Sequence, residues 1–243
     1  MTLAVGITNL TKTFGSKQAL RGVDLEIPVG ATVGLLGANG SGKTTLIKCS
    51  LGLLRPTSGE CQLLGESAWS LSASAKARLG YVPQVINLYP WMRVAELIQY
   101  TASFYATWNP ELTDRLIKDW ELPLNDRVRT LSVGQKQRLA ILTAVAYQPD
   151  LLILDEPAAS LDPQARRKFL QLLVELSEPE QRTVLFSTHI TSDLERVADY
   201  VAIMKEGKIA WFGSLEALKE RTHTSLEDAF LEIEQGVQHG ESI

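Results

Sequence analysis

The hydrophobic and polar positions change their period along the chain, and each change marks a different kind of element. From Ala4 to Phe14 ("AVGITNLTKTF") and from Ala19 to Pro28 ("ALRGVDLEIP") apolar and polar residues alternate, as in a half-buried antiparallel sheet. "ATVGLLG", Ala31 to Gly37, is a short apolar run closed by glycine, the pattern of a buried strand. From Val85 to Gln148 the spacing turns helical. Val94, Leu97, Ile98, Thr101 and Phe104 fall on one helix face, and Leu112, Leu116 and Trp120 on another. The last helix of this stretch opens at Ser132, a favoured N-cap. Its apolar residues Leu139, Ile141, Leu142, Val145 and Ala146 are expected to be buried, with Lys136, Gln137 and Arg138 on the polar side. Strands and helices then alternate: strand "LLILD", helix "PQARRKFLQLLVEL", strand "TVLFSTH", helix "TSDLERVADY" and a final strand "YVAIMKEGKIAWFG". This order predicts an α/β protein with an antiparallel β portion at its start and an inserted helical portion.

The totals change that picture little. A chain of 243 residues suits one large α/β domain, or a core with an inserted subdomain, and can bury a substantial centre. The formal charge of -4 and the pI near 5.5 give no general affinity for nucleic acid. Cys49 and Cys61 fit no metal-binding spacing and read as reduced thiols of a cytosolic chain. The first residues lack the basic start and apolar run of a signal peptide, and the longest apolar candidate, "LAILTAVAY", is too short to span a bilayer.

Chemistry concentrates in three places. Gly37, Gly42, Lys43 and Thr44 fit G-x-x-x-x-G-K-[ST], between the strand "TVGLL" and the helix-like "TTLIKCSLGLL" that the motif requires. Such a loop, through Ala38, Asn39, Gly40 and Ser41, wraps its backbone N–H groups around a polyphosphate. Lys43 adds a cation near the β/γ-phosphates, and the Thr44 hydroxyl can ligate Mg²⁺. The second place is "LLILDE", which puts two carboxylates at the end of a buried strand: Asp155 suits the metal's surroundings and Glu156 a general base acting on water. His189 ends the next apolar strand at the same sheet edge, where ligands of open α/β sheets gather. The third is "LSVGQ", Leu131 to Gln135. Taken alone it is an ordinary capped helix. It is also a helix N-terminus with a glycine in its first turn, a place where an anion can approach.

Together these residues resemble the nucleotide-binding subunit of ATP-binding-cassette (ABC) transporters, over roughly Leu3 to Gly213 and in the family's order. The resemblance implies a P-loop, RecA-like core with an antiparallel β subdomain (residues 1–84 and 149–213), a helical signature subdomain (85–148) and a short helical tail (214–243). It makes Gly37 to Thr45 the phosphate loop, with Thr45 reaching the α-phosphate, and Gln84 the glutamine-loop residue at Mg²⁺ or water. Ser132, Val133, Gly134 and Gln135 become the signature, "ASLD" with Asp162 the D-loop, His189 the switch histidine, and Phe14 the aromatic that stacks on adenine. Val133 departs from the glycine that the family's consensus has there.

The resemblance also implies partners. Two ATPase subunits, identical or paralogous, would pack head to tail, each ATP with its Mg²⁺ lying between one phosphate loop and the other chain's signature. A separate transmembrane permease would hold the pair at the inner face of the cell membrane, with no part for nucleic acid. The aromatic passage around Tyr89 and Trp91, and "SLEDAFLEI" near the end, look like bacterial ABC-2-type exporters of peptides, antibiotics or lipid-like compounds. Two other readings stay open at this point: an ABC ATPase of a non-membrane assembly, of the iron–sulfur scaffold type, and a regulatory ATP-binding module.

Overall fold

The structure, a computed structural model, describes residues 2–177, 182–222 and 225–235. Two strands open it, β1 (Leu3–Phe14) and β2 (Lys17–Pro28), paired antiparallel. They are followed by β3 (Thr32–Leu36), α1 (Lys43–Ser50), β4 (Ser58–Leu63), β5 (Glu66–Ser67), α2 (Ala73–Ala77) and β6 (Leu79–Val82). A run of helices comes next: α3 (Val94–Ala102), α4 (Pro110–Asp119), a 3-10 turn at Val128–Thr130 and α5 (Val133–Val145). The chain continues with β7 (Leu151–Leu154), α6 (Pro163–Ser177), β8 (Thr183–Thr188), α7 (Thr191–Val197), β9 (Tyr200–Lys205), β10 (Lys208–Ser214), α8 (Leu215–Thr222) and α9 (Leu226–Gln235).

The strands form two sheets. One is antiparallel, in the order β2-β1-β4-β5; the other has six strands in the order β10-β9-β3-β8-β7-β6. In the larger sheet β3, β6, β7, β8 and β9 run parallel, and β10 closes it as an antiparallel edge. Its central strands β3, β7 and β8 are buried at every position because both faces are covered. Leu151 and Ile153 of β7 pack toward the smaller sheet and α1, while Leu152 and Leu154 pack toward α5 and α6. Each such fully buried side chain contributes about 1.5–3 kcal/mol by leaving water. This sheet is the rigid part: the carboxyl ends of β3, β6, β7 and β8 lie side by side and project four loops from one edge.

Several expectations need correction. The final strand is a hairpin: Glu206 and Gly207, at φ 46 and φ 78, turn β9 back into β10. The helix expected from Thr191 to Tyr200 stops at Val197, and Tyr200 already pairs with Val33 of β3. Phe104 lies past the end of α3 and is 66% exposed, although Val94, Leu97 and Ile98 are buried as expected. Gln137 is buried rather than polar-facing. In the expected tail, residues 223–224 and 236–243 lie outside the described residues. Both cysteines are buried, and burial pushes the Cys49 thiol up to about 11.

Candidate functional site

The loop between β3 and α1 is shaped by glycine where no other residue fits. Gly42 caps α1 at φ 114, and a Cβ there would stand 2.7 Å from Met204 Cε and 2.9 Å from the Ala19 carbonyl. A Cβ on Gly37 would meet the Met204 carbonyl at 2.5 Å and Ser41 Oγ at 2.6 Å. No side chain caps α1 and no acidic residue sits in its first turn. The helix therefore presents its N-terminal N–H groups and the positive end of its dipole to an anion.

The loop opens onto a cleft of about 450 Å³ lined by Phe14, Lys17, Ala19, Asn39, Gly40, Gly42, Lys43, Thr44, Thr45, Gln84 and Glu156. Phe14 is 48% exposed, with Lys12 Nζ lying over its ring 4.9 Å from the centroid. Lys43 Nζ donates to the carbonyls of Gly37 (2.7 Å) and Ala38 (3.2 Å), and pairs with Glu156 Oε1 at 3.2 Å. Ser41 is buried against Gly37 beneath the loop.

The carboxylates are set by strand register. Because Leu154 of β7 pairs with Phe186 of β8, Ser187 comes beside the residues that follow β7. Its hydroxyl donates to Asp155 Oδ1 at 2.8 Å and accepts the Glu156 N–H at 2.8 Å. Thr44 Oγ1 donates to the same Asp155 oxygen at 3.1 Å. Burial pushes the Asp155 carboxyl above its ordinary value, with the Ser187 and Thr44 hydrogen bonds holding it back. Asp155 Oδ2 is buried without a partner. A hydroxyl and a buried, unsatisfied carboxylate oxygen beside a phosphate-shaped loop are the hard-oxygen donors that suit Mg²⁺, which keeps water and substrate phosphates as its other ligands. The residues fit that ion. Glu156 adopts φ 50, a left-handed conformation that a non-glycine residue reaches only at a cost. Its Oε2 lies 3.0 Å from His189 Nδ1, so one carboxylate is shared between Lys43 and His189.

The remaining expected residues lie elsewhere. Ser132 caps α5, its Oγ accepting the Gln135 N–H at 3.2 Å while Gln135 Oε1 accepts the Ser132 N–H at 2.9 Å. Val133 is 66% exposed, and Gly134 is packed so that a Cβ would come 3.0 Å from the Ser160 carbonyl. Asp162 caps α6 by accepting the Ala165 N–H at 2.9 Å. That N–H and, after it, the Arg138 guanidinium hold its carboxyl below the usual range. None of these five residues lines the cleft.

Family comparison fits this geometry. The ABC transporter family matches residues 20–159, more than half of the chain. The chain belongs to the ABC transporter family. It is similar to the bacitracin transport ATP-binding protein BcrA of Bacillus licheniformis (32% identical, covering 93% of this chain and 75% of BcrA). It is similar also to the Nod factor export ATP-binding protein I of Cupriavidus metallidurans (34%, 86% and 70%) and to a sulfate/thiosulfate import ATP-binding protein of Chlorella vulgaris (34%, 94% and 99%). Among solved structures it resembles an ATP-binding subunit of an ABC transporter, with TM-score 0.85, 27% identity and coverage of 96% of this chain and 99% of that one. A dimeric post-hydrolysis state of the ATP-binding cassette MJ0796, bound to ADP and Pi, gives TM-score 0.76 at 28% identity, covering 87% and 98%. This ABC subunit therefore has the ABC ATPase fold and is an ATP-binding ATPase.

Sequence reading missed Ser187, Lys17 and Ala19. Ser187 had a signal, a polar residue breaking an apolar strand; Lys17 and Ala19 had none, because only the pairing of β1 with β2 brings them to the cleft.

Proposed function

We propose that this ABC subunit powers a transporter, most simply an exporter, by closing with a second ATPase subunit on Mg-ATP and passing that closure to a separate transmembrane permease. The observation that carries the reading is a division of labour: the cleft gathers the phosphate loop, Gln84 and Glu156, while Ser132, Gly134 and Asp162 stand outside it. A helix N-terminus with the signature sequence and no role in its own cleft is well suited to a nucleotide held by another copy. The dimeric MJ0796 relative supports the same arrangement. Among the described residues no helix is long and apolar enough to cross a membrane, so the transport path falls to another protein.

In this reading Phe14 receives the adenine, Thr45 and the loop N–H groups of Ala38 to Ser41 hold the phosphates, and Lys43 exchanges its contacts with Gly37, Ala38 and Glu156 for the β/γ-phosphates. Thr44, Asp155 and Gln84 would hold Mg²⁺, which when bound neutralises charge on the β- and γ-phosphate oxygens. Glu156 takes the proton of the attacking water as the bond from the γ-phosphorus to the bridging oxygen breaks, leaving ADP and phosphate. His189 orients Glu156 from the other side. Export is supported by the Nod factor and bacitracin relatives and by the aromatic passage near Tyr89 and Trp91. The import relative of equal identity shows that direction is not set by identity alone.

A membrane pull-down tests it: the tagged chain is solubilised in mild detergent and its companions are identified. A multi-span permease in stoichiometric amount is expected. Recovery of soluble scaffold proteins alone would leave the ATPase standing and remove the transport reading.

A further inference from the structure

Away from the nucleotide cleft, a second, polar cleft of about 240 Å³ lies where three helices meet, and Arg138 is one of the residues that line it. From α5, the Arg138 guanidinium reaches two ways. Nη2 donates to Asp162 Oδ2 at 2.6 Å, and Nη1 donates to the Trp120 carbonyl at 3.1 Å, at the carboxyl end of α4. Lys168 of α6 donates to the neighbouring Asp119 carbonyl. Two cations from two helices thus close the last turn of a third, where the helix dipole favours positive charge.

Asp162 has a double task. Its Oδ1 caps α6 while its Oδ2 is held by Arg138. Between Glu156 and Asp162 run only the five residues Pro157–Leu161. At one end of this connection Ser187 fixes the Glu156 N–H; at the other Arg138 fixes Asp162 to the helix that begins with the signature. Midway, the Ser160 carbonyl sits against Gly134 so closely that no Cβ fits comfortably. The Arg138–Asp162 pair itself is partly exposed, at 20% and 51%. An ion pair so placed adds little to global stability. Its geometric effect is larger: a charge-assisted, directional bond fixes where the loop stands.

We propose that Arg138 is a positioning residue for ATP hydrolysis, clamping the Asp162 loop to the signature helix so that this loop keeps its place beside Gly134 when the site closes. The inference rests on the dimer reading above, because only there do both ends of the clamp face nucleotide.

The test uses the full purified chain, with steady-state hydrolysis measured against ATP, and sedimentation with ATP in the Glu156→Gln background. Arg138→Met is expected to lower kcat about tenfold, the effect of losing one charge-assisted contact, with KM for ATP changed less than about twofold. Arg138→Lys, which keeps a charge toward Asp162, should recover to within about threefold of the parent rate. Asp162→Asn, which keeps an oxygen for the α6 cap, should reproduce the Arg138→Met loss. The double variant Arg138→Met/Asp162→Asn should be no slower than either single one. Parent-like kcat in Arg138→Met, losses that multiply in the double variant, or no recovery in Arg138→Lys would overturn the clamp. Should Arg138→Met melt well below the parent, the decision passes to Asp162→Asn, in which parent-like turnover overturns the clamp. If Glu156→Gln stays monomeric with ATP, the dimer reading falls and takes the clamp's function with it; if it dimerises and Arg138→Met turns over normally, the clamp falls alone.

Discussion

Lys43 Nζ and Glu156 Oε1 stand 3.2 Å apart, with both side chains 6% exposed. Each compensates part of the other's burial, beside the Gly37 and Ala38 carbonyls for Lys43 and His189 for Glu156. Removing one partner of such a pair typically costs about 3–5 kcal/mol, because the other charge is left without it. Lys43→Ala should therefore lose nucleotide binding and also stability, by up to that amount, in urea denaturation of nucleotide-free protein. Lys43→Ala/Glu156→Gln should regain part of the loss. A double variant as unstable as the sum of the two singles would show that the pair is not coupled.

Glu156→Gln should keep ATP affinity, since Lys43 retains the carbonyls of Gly37 and Ala38. Its turnover should fall by about 10²–10⁴-fold, the usual effect of losing a positioned base. Phosphate release from the purified variant decides this; a rate near the parent's would take the base role from Glu156.

Gly42→Ala should damage the phosphate loop by the addition of a single methyl group. At φ 114 an alanine is strained, and its Cβ meets both Met204 and the Ala19 carbonyl. A loss of at least about 1–3 kcal/mol in stability is expected, together with loss of ATP binding by calorimetry.

Ser187→Ala removes the hydroxyl that joins Asp155 to the Glu156 N–H. A buried donor and acceptor lose their partner together, at about 1–3 kcal/mol. Thermal melting and the Mg²⁺ dependence of hydrolysis should both change; an unaltered Mg²⁺ requirement would show that Ser187 does not set the Asp155 position.

Asp162 gives a pH prediction. Its folded value is lowered from the ordinary 3.8, first by the Ala165 N–H and then by Arg138. A depressed carboxylate stabilises the fold above its unfolded value, and that contribution disappears as pH falls through the folded value. Asp162→Asn should therefore be less stable than the parent near neutrality, and the gap should close below pH 3.8. A gap that persists unchanged in acid would mean that the charge is not the cause.

What could be read in advance was whatever is written locally. Gly37 to Thr45 is one continuous stretch of loop and first helical turn, and Asp155–Glu156 directly follows an apolar strand, so spacing alone located them. The hairpin at Glu206–Gly207 was hidden because β9 and β10 share one strand-like composition. Ser187 and Arg138 act through partners 32 and 24 residues away, which strand register and helix packing bring close. Gln137 was misread for a related reason: a short polar stretch on a helix does not reveal which of its members faces the core.

The cleft is lined without any residue from Leu131 to Gln135. In the proposed pairing, ownership of a reaction site then passes from the chain to the junction between chains, and defects can complement. Mix chains broken only at Lys43 with chains broken only at Ser132, and each mixed pair gathers both faults into one site while leaving the other whole. Two inactive preparations would yield activity on mixing, approaching one site in four when the parts are equal and exchange is free.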